Sequence, residues 1–229
     1  MTLGPEEWAA LSLSLQVSAC AVLVSLPLAI AVAWVLARRS FPGKAMLSAI
    51  VHLPLVLPPV VTGYLLLLTF GLNGAVGRFL AEWGIVFAFR WTGAALAAGI
   101  MGFPLMVRAI RLAIEAVDPK LKDAPQTLGA GRVARFVLIT LPLIAPGILA
   151  GVVMGFAKAM GEFGATITFV ANIPGQTQTL PSAIYAFLQV PGGEADAVRL
   201  VIVATVVALG AVLVSEWLAR RVARRIGRA

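Results

Sequence analysis

Long apolar runs, separated by short polar or basic clusters, organise this chain of 229 residues. A helix needs about 20 mostly apolar residues to cross the hydrocarbon core of a bilayer. Five stretches meet that requirement: Leu11 to Leu36, Met46 to Phe70, Trp91 to Ile110, Phe136 to Met160 and Val198 to Leu218. The pattern predicts an all-α integral membrane protein with about five transmembrane helices in one domain over residues 1–229. Phe163 to Leu188 is apolar only in patches and is broken by Asn172, Pro174, Gly175 and Pro181. An extracytoplasmic loop with one or two short helical or re-entrant pieces is expected there, because non-helical backbone at membrane depth must be covered by protein or line a water-filled cavity.

Composition narrows the class. The chain is 60% hydrophobic and 12% charged, against about 25% charged residues in soluble domains. Its net charge of +8 does not point to nucleic acid, because the basic residues cluster at the ends of apolar runs. Arg38, Arg39 and Lys44 follow the first run. Arg108, Arg111, Lys120, Lys122, Arg132 and Arg135 lie between or at the edges of the third and fourth, and Arg220, Arg221, Arg224, Arg225 and Arg228 form the tail. These are 14 of the 18 basic residues, and the positive-inside rule assigns them to the cytoplasm. Arg78, Arg90, Lys158 and Arg199 remain outside. Five spans with the N-terminus outside and the C-terminus cytoplasmic fit this partition. The basic tail suits a stop-transfer anchor on anionic headgroups. No Lys or Arg precedes Arg38, and Glu6 and Glu7 lead into a run longer than a signal peptide's, so the first helix is expected to remain as a span.

Candidate chemistry is sparse. Cys20, the single cysteine, lies in an apolar run and reads as a small buried hydrophobe. His52 has no Cys, Asp or Glu at ligand spacing and reads as a packed, hydrogen-bonded core residue. No Ser/His/Asp set, catalytic carboxylate pair or metal motif is present, so covalent catalysis is not expected. A phosphate-binding loop requires G-x-x-x-x-G-K-[ST]. At Gly43-Lys44 the first position is Arg38 and the last is Ala45, so no nucleotide cofactor is expected in this chain.

Two groups stand out within the spans. Pro54, Pro58 and Pro59 remove backbone donors from the second run and distort its helix, with Thr62, Gly63 and Tyr64 following. Such a span either packs as a kinked helix or lines a pathway at the midplane, as broken helices do in transporters. Lys158 and Glu162 lie one turn apart near the outer end of the fourth run, with Gly164 just beyond. They are either a structural ion pair or part of an outer gate where a cation helps an oxyanion enter. Gly151 and Gly155 form a small-xxx-small pair that serves either a second copy or packing within the chain. The polar segment Asn172 to Asp196 is either a connector or a docking platform.

The stretch from Asp123 to Pro142 carries the most specific signal. Asp123 can cap a short helix ended by Gly129 or Gly131, and Ala124, Gly129, Ala130 and Gly131 permit close approach of another backbone. Pro142 falls about two turns into the fourth run, where a kink is expected. The spacing acid-Ala-x-x-x-x-Gly, nine residues, then Ile-x-Leu-Pro resembles the EAA loop of bacterial ABC-importer permeases. Asp123, Ala124, Gly129, Ile139, Leu141 and Pro142 carry the match. Asp replaces Glu at 123 and Pro replaces Ala at 125, both compatible with a helix start.

Further stretches extend the likeness: Ser40–Lys44, His52–Tyr64, Phe103–Arg111, Gly161–Thr177 and Ser215–Arg220. Together they are similar to the molybdate ABC transporter permease family along nearly the whole chain. The resemblance implies a type I importer permease fold in the bacterial inner membrane. It also implies a homodimer with two ATPase subunits that bind ATP and Mg, a periplasmic molybdate-binding protein and a coupling loop at 118–135. Tungstate or sulfate/thiosulfate remains an alternative cargo. An ATP-independent secondary transporter would predict internal repeats and intramembrane charge relays, of which only Lys158/Glu162 qualifies.

Overall fold

The computed structural model describes residues 3–117 and 140–226. Among the described residues there are helices and no strands: α1 Pro5–Arg38, α2 Lys44–Val56, α3 Pro59–Phe70, α4 Ala75–Glu82, α5 Trp91–Ala116, α6 Leu141–Met160, α7 Gly164–Val170, α8 Leu180–Leu188 and α9 Glu194–Ile226. Four are long and apolar enough to cross a membrane: α1, α5, α6 and the Glu194–Val214 portion of α9. The interrupted stretch after α6 folds as the two short helices α7 and α8.

The run read as one span over 46–70 is broken into two helices, α2 and α3, bent by 113°, which together are apolar enough for a fifth, broken span. The cause is local. A residue before proline is driven out of the α region, and here two prolines follow each other. Leu57, before Pro58, adopts φ −71°, ψ 141°, and Pro58, before Pro59, adopts φ −54°, ψ 135°. Pro59 then opens α3 in the first turn, where its missing N–H is not needed.

Helix α5 is the centre of the bundle: 67% of its apolar stretch is buried, against 28% for α1 and α6 and 11% for α9. Its buried face is mostly small, with Gly93, Ala94, Ala95, Ala97, Ala98, Gly99 and Gly102. Small residues let helix backbones approach closely where lipid supplies no hydrophobic drive to association. Helix α1 packs on one side, where a Cβ added at Gly99 would lie 2.9 Å from Ser25 Oγ. Helix α6 packs antiparallel beside it, touching both α5 and α1. A Cβ added at Gly102 would lie 3.1 Å from the Gly155 carbonyl oxygen, and one added at Gly151 would lie 3.2 Å from the Met106 carbonyl oxygen. Gly151 and Gly155 therefore serve packing within the chain.

Polar clamps fix the two ends. At one, the Arg38 guanidinium donates to the carbonyls of Ile114 at 2.5 Å and Val117 at 3.2 Å. A cation at a helix C-terminus satisfies orphan carbonyls and complements the dipole. At the other, buried Glu7 accepts the Gly4 N–H at 2.6 Å and the Arg199 Nε–H at 3.0 Å, and Arg199 also pairs with Asp196. The buried Leu180 N–H donates to Ser14 Oγ at 2.6 Å, docking α8 on α1.

The α5–α6 seam gives a graded prediction. Gly102→Ala should be mild, because the neighbour need shift only a few tenths of an ångström. Gly102→Val should destabilise by about 1–3 kcal/mol, as overpacked cores do. Thermal unfolding of the two variants in detergent checks the order.

Candidate functional site

The Pro58–Pro59 break and the turn between α6 and α7 form one site. Proline supplies no N–H at positions 58 and 59, so the carbonyls of Pro54 and Leu55 lose their i+4 donors. Helix α3 restarts with the Pro58 carbonyl accepting from Val61 N at 2.9 Å and Thr62 N at 3.2 Å. Helix α7 covers the break. A Cβ added at Gly164 would lie 2.8 Å from Pro59 Cβ and 3.4 Å from Val60 N. One added at Gly63 would lie 2.5 Å from the Ala165 carbonyl oxygen and 2.9 Å from Thr168 Cβ. Both glycines are needed for backbone-to-backbone approach, so a side chain at either pushes the break and its cover apart.

The turn itself is organised by Glu162, which is 2% exposed. One carboxylate oxygen accepts from Lys158 Nζ at 2.7 Å and the other from the Ala165 N–H at 3.0 Å. The carboxylate thus satisfies an orphan donor at the start of α7 while neutralising the lysine. Thr166 Oγ1 donates to the Phe163 carbonyl at 2.9 Å, closing the same turn. The Lys158 side chain is 29% exposed, so the pair has one buried and one accessible member. Thr62 Oγ1, one turn beyond the break, is buried without a hydrogen-bond partner among the described residues.

The structure thus brings together Pro58, Pro59, Thr62, Glu162 and Gly164, with Lys158 at the rim. Pro54 lies apart: with Cys20, Ser25, Gly99 and Phe103 it lines an apolar cavity of about 550 Å³ between α1, α2 and α5. Asp123, Ala124, Gly129 and Ile139 lie outside the described residues. Leu141 and Pro142 occupy the first turn of α6. Pro142 was expected two turns into its helix as a kink. It lies near the start of the described part of α6, next to residues outside the described ones, and Pro146 follows inside the helix.

Sequence reasoning missed Gly63 and the Ala165 N–H as partners of the site. The first carries a weak signal, a glycine beside Thr62 in an apolar helix. The second is a backbone group and carries none. The segment before α8 is a built turn rather than a slack connector: Thr177 Oγ1 accepts from Ile173 N at 3.0 Å and donates to the Ala171 carbonyl at 3.3 Å. Its tip, Pro174–Gly175–Gln176, is exposed.

The ion pair predicts an asymmetry. Lys158→Met leaves a buried carboxylate without its cation, a change that costs up to about 3–5 kcal/mol when both charges are buried and less here because Lys158 reaches solvent. Lys158→Met combined with Glu162→Gln should recover part of the loss. A double-mutant cycle in thermal stability measures the coupling, and additive effects would show that the two side chains do not depend on each other.

Comparison with known proteins adds ancestry to this geometry. Residues 25–228 match the family described as binding-protein-dependent transport system inner membrane component. The chain is 59% identical over 229 residues, all of both chains, to the molybdenum transport system permease protein ModB of Escherichia coli (strain K12). It is 54% identical over 222 residues to the molybdenum transport system permease protein ModB of Haemophilus influenzae, covering 96% of this chain and 97% of that one. Its fold is like that in the crystal structure of a bacterial ABC transporter involved in the import of alginate. The TM-score there is 0.74 at 24% identity, over 95% of this chain and 80% of that one.

Proposed function

Because this chain belongs to the family of inner membrane components of binding-protein-dependent transport systems, we propose that it is the transmembrane permease subunit of an ATP-driven molybdate importer in a bacterial inner membrane. The observation that carries the cargo is identity to a molybdenum permease across the full length of both chains. The permease performs no covalent chemistry. ATP and Mg are bound and hydrolysed by two separate ATPase subunits, and a periplasmic binding protein delivers the oxyanion.

The working unit is a homodimer. One copy has too few spans to enclose a path, and two copies place the path on the symmetry axis. The bent pair α2–α3 exposes Val56, Val60, Tyr64 and Leu68, which supports this face as the one a second copy covers. The Arg38 end is cytoplasmic by charge placement, so the segment 118–135 faces the ATPase. Closure of the ATPase dimer on ATP draws the two coupling segments together and opens the path outward, and hydrolysis returns it inward.

The break beside α7 is the flexing element of the outer half. Lys158 attracts a divalent oxyanion, and Glu162 moderates that attraction so that cargo passes on. Thr62 Oγ1, without a partner among the described residues, stands one turn beyond the break. The Pro174–Gly175–Gln176 tip suits contact with the binding protein.

Proteoliposomes holding this chain, its ATPase and its binding protein should take up labelled molybdate only with ATP, and excess sulfate should leave uptake intact. Competition by sulfate would widen the cargo to oxyanions in general, and uptake without ATP would overturn the importer reading. Pro58→Ala with Pro59→Ala should straighten the bend and lower uptake about tenfold or more, a barrier change of about 1.4 kcal/mol, while the complex still assembles. Wild-type uptake by that variant would remove the break from the mechanism.

A further inference from the structure

A polar cavity lies toward the C-terminal end of α5. Arg108, Arg111 and Glu115 recur at i, i+3 and i+7 and so share one face of the helix. With Ser48 and His52 of α2 they line an open cavity of about 420 Å³. His52, expected in the core, is half-buried on the wall of this cavity. Its Nδ1 lies 2.8 Å from the Ser48 carbonyl oxygen. A carbonyl only accepts, so Nδ1 carries the hydrogen and Nε2 is left for other partners.

The charges of this cavity are unequally matched. Arg111 Nε donates to Glu115 at 2.8 Å, which leaves the terminal nitrogens of Arg111 without a bond among the described residues. Arg108 makes no hydrogen bond or ion pair among the described residues. Among the described residues two guanidiniums thus share one carboxylate. Charged side chains at the ends of spanning helices keep their heads in water, where an ion can reach them. The planar, permanently charged guanidinium matches the oxygens of an oxyanion better than an ammonium does.

We infer that this cavity is a weak binding site for a tetrahedral oxyanion at the inner end of the path, held by Arg108 and the terminal nitrogens of Arg111. The inference rests on the permease reading above. Glu115 keeps Arg111 oriented and limits the excess to one positive charge, so the site receives cargo without trapping it. The same chemistry suits the phosphate of a phospholipid headgroup, and the test separates the two sources.

The chain and its ATPase, without the binding protein, are placed in phosphatidylcholine nanodiscs and in nanodiscs containing phosphatidylglycerol. Labelled molybdate binding is measured by equilibrium dialysis for the wild type, Arg108→Gln and Arg108→Lys. Losing one charge-assisted contact should weaken binding about tenfold or more in Arg108→Gln, with Arg108→Lys falling between it and the wild type in both lipids. Co-elution with the ATPase establishes that each variant is assembled. Equal molybdate binding by wild type and Arg108→Gln would overturn the site. Phosphatidylglycerol retained by the wild type but lost from Arg108→Gln, with molybdate binding unchanged, would reassign the ligand to a headgroup and overturn the cargo role. ATP-driven uptake by the wild type, run alongside, keeps the two readings apart. No uptake sinks the permease reading, whereas normal uptake with equal binding sinks only this cavity.

Discussion

A bilayer offers no water to an unpaired N–H or C=O, so every break in a spanning helix must be covered by protein or a wet cavity. The rest of this structure depends on how that constraint is met at Pro58–Pro59. Two prolines in succession force two residues out of the helix and bend the chain by 113°. The bend persists because α7 lies over it, and α7 lies over it because Gly63 and Gly164 admit backbone where a side chain would not fit. Glu162 holds the cover in place by capping the α7 backbone and binding Lys158. A sequence defect at one position thus demands close packing at a second and a buried charge at a third.

Beside this break the bundle is closely packed. Helix α5 meets α1 and α6 through small-residue contacts at close approach. Its two ends are held differently. Arg38 ties the end of α1 to the last carbonyls of α5, immediately before the segment that leads to 118–135. Glu7 and Arg199 join α1 to α9 at the far end. The clamps link helices remote in the chain. Two charged groups stand apart in the bundle: Lys158–Glu162 at the turn after α6 and Arg108–Arg111 near the C-terminal end of α5. At each, a glutamate partly neutralises the basic side chain beside it.

Several features were legible in the residues because they follow from local rules. Helices were legible because only helices satisfy backbone groups within one segment of apolar residues. The proline pair announced a distortion, since the effect of proline on its predecessor needs no tertiary context. Lys158 and Glu162 were legible as partners because i and i+4 lie on one helix face. What was not legible is whatever depends on direction in space. The apolar run 46–70 looks continuous in hydropathy, which records composition and not the angle between two halves. Gly151 and Gly155 advertise close packing without naming the neighbour, and the neighbour is α5. Arg38 and Arg199 entered the charge count only as signs, although one caps a helix 76 residues away in sequence and the other pairs with Glu7 across 192 residues.

The sequence by itself therefore determined the solvent, the helical class, the approximate spans, the break and the family, since each is a property of composition, short-range sterics or a spaced motif. The tertiary structure alone decided that the break is roofed by α7, that α5 is the spine, that His52 faces a polar cavity and that Arg108 and Arg111 line it. Those outcomes are set by which helix faces meet. Helix periodicity says which residues share a face, but only the packed bundle says what that face is turned toward.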